Sequence, residues 1–173
     1  DLLTLASAET GRAHLHVEAV DLSALAREVA SHLSVLAEDR GQTIEVRGNP
    51  GGMIEGDRAA LRQALVNLVD NAIKYSPSNT RILVSTGESG GQVFLSVQDE
   101  GPGIGESDQA RVFERFFRAD RQRSREMGGT GLGLSIVKLI AETHGGSVRL
   151  NSRPGRGCTF ILLLPSRPAG LSG

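Results

Sequence analysis

Twenty-two of the 173 residues are glycine, and their placement constrains the fold more than any other feature. Gly128, Gly129, Gly131 and Gly133 stand at the opening of a stretch in which Leu132, Ile136, Leu139 and Ile140 recur at helical spacing. A helix over Leu132 to His144 follows from that stripe, closed by Gly145-Gly146. Glycines crowded ahead of a helix let backbone approach something closely, and the unpaired N–H groups of a helix N-terminus attract anions such as phosphate. Two familiar phosphate-binding patterns do not fit. The dinucleotide spacing G-x-G-x-x-G fails because the glycines fall at 129, 131 and 133, and the P-loop fails because Leu134 stands where lysine is required. A hinge, or close helix packing, is the plainer alternative for these glycines.

The rest of the chain mixes helix and strand signals. Leu2, Leu3 and Leu5 suggest the end of an amphipathic helix over residues 1–10, stopped by Gly11. His14 to Val20 alternates as a short strand. Asp21 is placed to cap a helix carrying Leu22, Leu25, Val29, Leu33 and Leu36, with Gly41 at its end. Thr43 to Val46 reads as a strand and Gly48 to Gly52 as a turn. Asp57 is placed to cap a helix that runs to Tyr75 and stops before Ser76-Pro77, because the residue ahead of a proline disfavours helical backbone. Arg81 to Thr86 and Gln92 to Gln98 read as a strand pair across a Gly/Ser turn. Residues 99–130 read as loop with a short helix near 106–113. Ser147 to Leu150 and Cys158 to Leu164 close the domain as strands, and the tail after Pro165 is expected to be disordered. This order gives an α+β sandwich with helices on one face of a sheet.

Three further stretches carry candidate chemistry. On the helix ending at Tyr75, Leu61, Leu65, Leu68 and Ala72 form an ordinary core stripe, while Asn67, Asn71 and Lys74 share another face. Asparagine is a poor residue inside a helix, because its amide competes for backbone hydrogen bonds. Either this is a solvated polar face, or the amide oxygens address a hard cation while Lys74 and Tyr75 reach phosphate. Asp99-Glu100-Gly101-Pro102-Gly103-Ile104-Gly105 follows a strand. It is either an exposed glycine turn or a ligand site in which Asp99 accepts a hydrogen bond from an exocyclic amine such as that of adenine. Val112 to Arg118 holds three of the five phenylalanines. It is either a satellite core or a lid that presents Arg118 to a terminal phosphate.

Composition narrows the function classes. The formal charge of −1 argues against a non-specific polyanion binder, and scarce aromatics argue against stacking of single strands, so no nucleic-acid partner is expected. Cys158 is the sole cysteine, which excludes an intrachain disulfide and a cysteine-cluster metal site, and its strand context reads as an inert core thiol. No apolar run reaches membrane-spanning length. The chain opens on Asp1, and it is read as a piece of a longer protein.

Taken together, NLVDNAIKYSP, DEGPGI, VFERFFRAD and GGTGLGLSIVK resemble, in order, the asparagine, first glycine, phenylalanine and second glycine boxes of sensor histidine kinases. The resemblance runs from about residue 20 to 165. It implies the ATP-binding sandwich shared with DNA gyrase, mismatch-repair ATPases and heat-shock chaperone ATPases: a two-layer α/β sandwich of Bergerat type, whose mixed, mostly antiparallel sheet is covered by helices on one face. By the same resemblance Asn71 ligates Mg²⁺, with Asn67 near the metal and the phosphates. Lys74 and Tyr75 contact phosphate or ribose. Asp99 binds the adenine amine, with Gly101, Gly103 and Ile104 shaping the pocket. Arg118 meets the γ-phosphate. Gly129, Thr130, Gly131 and Gly133 form the hinge and phosphate cradle, and Leu132 lines the pocket. Asn71, Lys74 and Arg118 are the implied catalytic set, and ATP and Mg²⁺ the implied ligands.

The implied activity is transfer of the γ-phosphoryl group of ATP to a histidine of a dimerisation domain, for relay to a response regulator. His14, His16, His32 and His144 all lack the acceptor context, so the acceptor is expected upstream of this chain. Residues 1–12 would then be the end of the dimerisation segment, 13–165 the catalytic domain and 166–173 a tail. ATP-hydrolysing relatives carry a glutamate base where Asn67 stands, and an amide cannot take a proton from water. Low activity is therefore expected of the chain alone, and relatives that phosphorylate serine are disfavoured. A non-catalytic nucleotide-binding module is the alternative. The whole protein is expected to be a homodimer anchored in the inner membrane, with this domain cytoplasmic and monomeric when separate.

Overall fold

The computed structural model describes residues 15–48 and 52–166. In chain order the elements are β1 (Val17–Asp21), α1 (Leu22–Glu38), β2 (Thr43–Gly48), β3 (Met53–Asp57), α2 (Arg58–Tyr75), β4 (Arg81–Ser89), β5 (Gln92–Gln98), α3 (Glu106–Gln109), α4 (Arg121–Glu126), α5 (Gly133–Thr143), β6 (Ser147–Ser152) and β7 (Cys158–Pro165).

Two aspartates start the long helices. Asp21 Oδ1 accepts from the backbone N–H groups of Ser23 and Ala24, at 2.9 and 3.2 Å, which satisfies donors that the first turn of α1 leaves without partners. Asp57 does the same for α2 through Ala60 N–H at 3.0 Å. Burial pushes the Asp57 carboxyl up, but backbone donors from Ala60, His16 and Ala59 outweigh it and hold the group below its usual value. Ser76, with extended backbone, ends α2 ahead of Pro77. The inward face of α1 departs from the expected stripe at one place. Leu36 is half exposed, and Ala37 takes the buried position one turn beyond Leu33.

The main sheet has the order β2-β4-β5-β7-β6, with β2 and β4 parallel and the other pairs antiparallel. Register sets the core. Val84, Val97 and Phe160 stand opposite one another across β4, β5 and β7, all buried. They meet the apolar faces of α1, α2 and α5 in one cluster, whereas the alternate residues Leu83, Ser96 and Ile161 are only half-buried. The architecture is the α+β sandwich the sequence implied.

Four local features differ from the sequence-based expectation. The strand expected from His14 begins at Val17, and it pairs with β3 in a separate two-stranded sheet. β3 was not anticipated, because a five-residue run containing Gly56, directly after the expected 48–52 turn, carries little strand signal. The helix expected near 106–113 is the single turn α3, and the charged stretch Arg121–Glu126 is helical without an apolar stripe to announce it. The expected helix over 1–10, Gly11, His14, the middle of the expected 48–52 turn and the tail from 167 lie outside the described residues. Ser166 N–H donates to the Gly91 carbonyl of the β4–β5 turn at 3.1 Å.

Candidate functional site

α2 and α5 pack against each other and form one wall of a cleft of about 520 Å³. Asn67 ties the two helices together, its Nδ2 donating to the Gly133 carbonyl at 3.3 Å. That bond uses the donor side of the amide, so Asn67 has its oxygen to offer a ligand. Two turns on, Lys74 Nζ lies 2.8 Å from Asp70 Oδ2. The end of α2, which aims Lys74 and Tyr75, is held from outside by the buried Gln42, whose Nε2 donates to the carbonyls of Ile73 (3.0 Å) and Ser76 (2.8 Å). These are C-terminal helix carbonyls that would otherwise lack partners.

Asp99 follows β5 and is 5% exposed. Its Oδ1 accepts from the backbone N–H of Gly101 at 2.9 Å and of Cys158 at 3.2 Å. Burial raises its carboxyl above the usual range, against the pull of those two donors. Gly103 has φ +73, and a Cβ there would lie 2.1 Å from the Arg153 carbonyl oxygen, so the turn that brings Ile104 to the cleft requires glycine. Ile104 N–H then donates to Ser152 Oγ at 2.9 Å. Burial pushes the Cys158 thiol up to about 11; the Ser152 hydroxyl opposes the rise and the Asp99 carboxylate adds to it. A thiol so raised stays protonated at neutral pH, and it lines the cleft beside Asp99.

The third side is the phenylalanine segment. Val112 is buried, and Phe113 stacks edge-on against Phe160 of the core at 6.0 Å. Phe116 is 64% exposed with φ +60. Its N–H donates to the Gly131 carbonyl at 2.9 Å. Gly131 has φ +74, and a Cβ there would come 2.9 Å from Phe116 Cα. Glycine at 131 therefore lets the two loop strands touch. Arg118 donates to the Gly129 carbonyl. No side chain caps the N-terminus of α5, so its first-turn donors and the positive end of its dipole remain for a ligand.

The structure brings most of the sequence-predicted residues to this cleft. Asn67, Asn71, Lys74 and Tyr75 line it from α2; Asp99, Gly103 and Ile104 from the strand end; Arg118, Gly129, Thr130, Gly131 and Gly133 from the far side. Two predicted residues do not line it. Gly101 sits behind Asp99, against the Tyr75 carbonyl. Leu132, expected in the lining, is 4% exposed and turned into the core; Leu134 lines the cleft instead, because helical rotation carries the two side chains to different faces. Lining residues the sequence reading passed over include Asp70, Asp108, Phe117, Asp120 and Cys158. The i,i+4 spacing of Asp70 and Lys74 was a usable signal; Cys158 carried none. Among the described residues no group of three His, Cys, Asp or Glu side chains is placed to hold a metal ion. The donors on α2 are amide and carboxylate oxygens, which suit Mg²⁺, an ion that keeps several waters and shares substrate phosphates.

A model of the histidine kinase-, DNA gyrase B- and HSP90-like ATPase family matches residues 56–168. The chain is 46% identical over 152 residues to the sensor-like histidine kinase SenX3 of Mycolicibacterium smegmatis, covering 88% of this chain and 40% of that protein. It is 39% identical over 169 residues to the sensor histidine kinase YkoH of Bacillus subtilis, covering 98% of this chain and 36% of that protein. The chain thus spans two fifths or less of the length of these relatives. Among solved structures, full-length ShkA in complex with AMPPNP superposes with a TM-score of 0.85 at 32% identity, covering 97% of this chain and 35% of that one. The mycobacterial sensor histidine kinase MprB gives 0.76 at 32% identity, covering 88% of this chain and 99% of that one.

Proposed function

This chain belongs to the histidine kinase-, DNA gyrase B- and HSP90-like ATPase family, and from that premise we propose that it binds ATP with Mg²⁺ and passes the γ-phosphoryl group to a histidine of a sensor-kinase dimerisation domain, for relay to a response regulator. The observation that carries this reading is convergence. Asn71, Lys74, Asp99 and Arg118 come from three separated segments and line one cleft beside the uncapped N-terminus of α5. AMPPNP in the ShkA structure supports ATP as the nucleotide.

Asp99 would select the base, since a carboxylate whose Oδ1 is anchored by two backbone donors keeps Oδ2 to accept from a donor such as the adenine amine and offers nothing to a carbonyl at that position. Asn71, with Asn67 beside it, would hold Mg²⁺ through amide oxygen, and the ion, when bound, would offset charge on the phosphates. Lys74 and Arg118 would exchange their present partners, Asp70 and the Gly129 carbonyl, for phosphate oxygens. An imidazole nitrogen of the partner domain then bonds to the γ-phosphorus as the bond to the β–γ bridging oxygen breaks, leaving phosphohistidine and ADP. Positioning and charge stabilisation account for catalysis of this kind. Asn67 cannot deprotonate water, so hydrolysis without the partner stays slow.

Among the described residues no helix is long and apolar enough to cross a membrane. A membrane anchor and the homodimer interface are assigned, in this reading, to other parts of the full-length protein. The test is to mix the chain with a histidine-bearing dimerisation domain and γ-labelled Mg-ATP. Acid-labile label on the partner is expected. ATP binding with no transfer would instead identify a nucleotide-binding module.

A further inference from the structure

The cleft that would receive a triphosphate is acidic. Asp70, Asp99, Asp108 and Asp120 line it against Lys74 and Arg118, and both cations already have partners. Lys74 is paired at 2.8 Å with Asp70, with side chains 31% and 40% exposed, and Arg118 is bonded to the Gly129 carbonyl. Asp70 lines the cleft and holds Lys74 from one turn away, so its charge lies beside the cation that would meet the phosphates. Free ATP carries about four negative charges at neutral pH and would have to displace Asp70 from Lys74 while lying against that same carboxylate. A divalent cation removes the conflict, because it offsets charge on the nucleotide and gives the displaced carboxylate a partner.

We propose that Asp70 is a specificity-determining residue through which this cleft takes nucleoside triphosphate as its magnesium complex and rejects the free anion. The inference rests on the nucleotide-binding reading above and adds a residue to it. As a bare i,i+4 surface pair, Asp70 and Lys74 would contribute only a little helix stability and nothing to ligand choice. Inside a phosphate cleft, the same carboxylate repels every bound anion that lacks a counter-ion.

The experiment is calorimetric titration of the full chain, and of its Asp70→Asn, Asp70→Ser and Asp70→Glu variants, with ATP in excess magnesium and with ATP in EDTA. The quantity read is the Kd for free ATP divided by the Kd for magnesium ATP. Asn and Ser should each lower that ratio about tenfold, mainly by tightening free ATP, with solvent screening at this half-exposed pair limiting the effect. Glu, which keeps the charge, should leave it near the parent value. An unchanged ratio in the folded Asn or Ser variant overturns the role given to Asp70, as does equal weakening toward both forms of ATP. If the parent chain binds neither form, the nucleotide reading itself fails.

Discussion

Replacing Asp99 by asparagine exchanges one carboxylate oxygen for an NH₂ group and leaves the shape of the side chain intact. The retained oxygen can still accept from Gly101 and Cys158 N–H, the bonds that now hold it at 2.9 and 3.2 Å. These become neutral hydrogen bonds, about half as strong as charge-assisted ones, but burial of a charge is also relieved. Burial raises the Asp99 carboxyl above its ordinary 3.8, so the folded chain holds this proton more tightly than the unfolded chain does. Its contribution to stability is full below pH 3.8 and is lost as pH rises through the raised folded value. Asparagine lacks that dependence. Net stability at neutral pH should therefore change by no more than about 1 kcal/mol, and the stability gap between variant and parent should move in the variant's favour as pH rises through that window. Nucleotide binding responds differently. The NH₂ group meets the adenine amine donor to donor, a loss of about 2–4 kcal/mol for an unsatisfied buried pair, or roughly 30- to 700-fold in Kd. GTP, whose ring offers a carbonyl at that position, should lose less. Calorimetry with Mg-ATP and Mg-GTP, beside thermal unfolding across acidic and neutral pH, reads all of these. Unchanged ATP affinity would remove Asp99 from the site, and a stability loss above about 3 kcal/mol would show that the group serves the fold.

Three further outcomes follow from the geometry. Gly131→Ala forces an L side chain to φ +74 and sets a Cβ 2.9 Å from Phe116 Cα; the left-handed cost of about 1–2 kcal/mol alone should weaken Mg-ATP binding about tenfold and hasten proteolysis within 113–131, and unaltered affinity would contradict the contact. His144 Nε2 accepts from Asp57 N–H at 2.9 Å while Nδ1 bonds the Ile140 carbonyl at 2.7 Å, joining the end of α5 to the start of α2. His144→Ala should cost about 1–3 kcal/mol, or about 3–10 °C in Tm; His144→Gln, whose side-chain oxygen can accept from Asp57, should recover part of this, and a Tm for alanine within about 1 °C of the parent would show the brace to be idle. Cys158, buried and with its thiol raised to about 11, should resist maleimide at neutral pH until the chain unfolds, with denaturant-dependent labelling as the measurement; fast labelling of the native chain would refute the buried placement.

Much of the fold was legible because its signals are local. Asp21 and Asp57 are cap residues placed one position before amphipathic stripes, and caps act within a single turn. The alternation in β4, β5 and β7 fixed which residues face inward. β3 escaped notice because a five-residue strand containing Gly56 is stabilised by its pairing with β1, a contact distant in sequence. α4 escaped notice because its six residues are all polar or charged and carry no periodic apolar face.

For the cleft, the sequence by itself determined the residue types. Paired asparagines in a helix, an aspartate before alternating glycines, and glycines opening a helix are each costly arrangements unless a ligand uses them, and their order is written in the chain. Only the tertiary structure decided who faces whom. Lys74 is held by Asp70, Arg118 by Gly129, and Asp99 by the backbone of Cys158, a residue 59 positions away. It also decided that Leu134 and not Leu132 meets the cleft. Such pairings depend on the packing of α2 against α5 and on sheet register, and these are set by burial across the whole core.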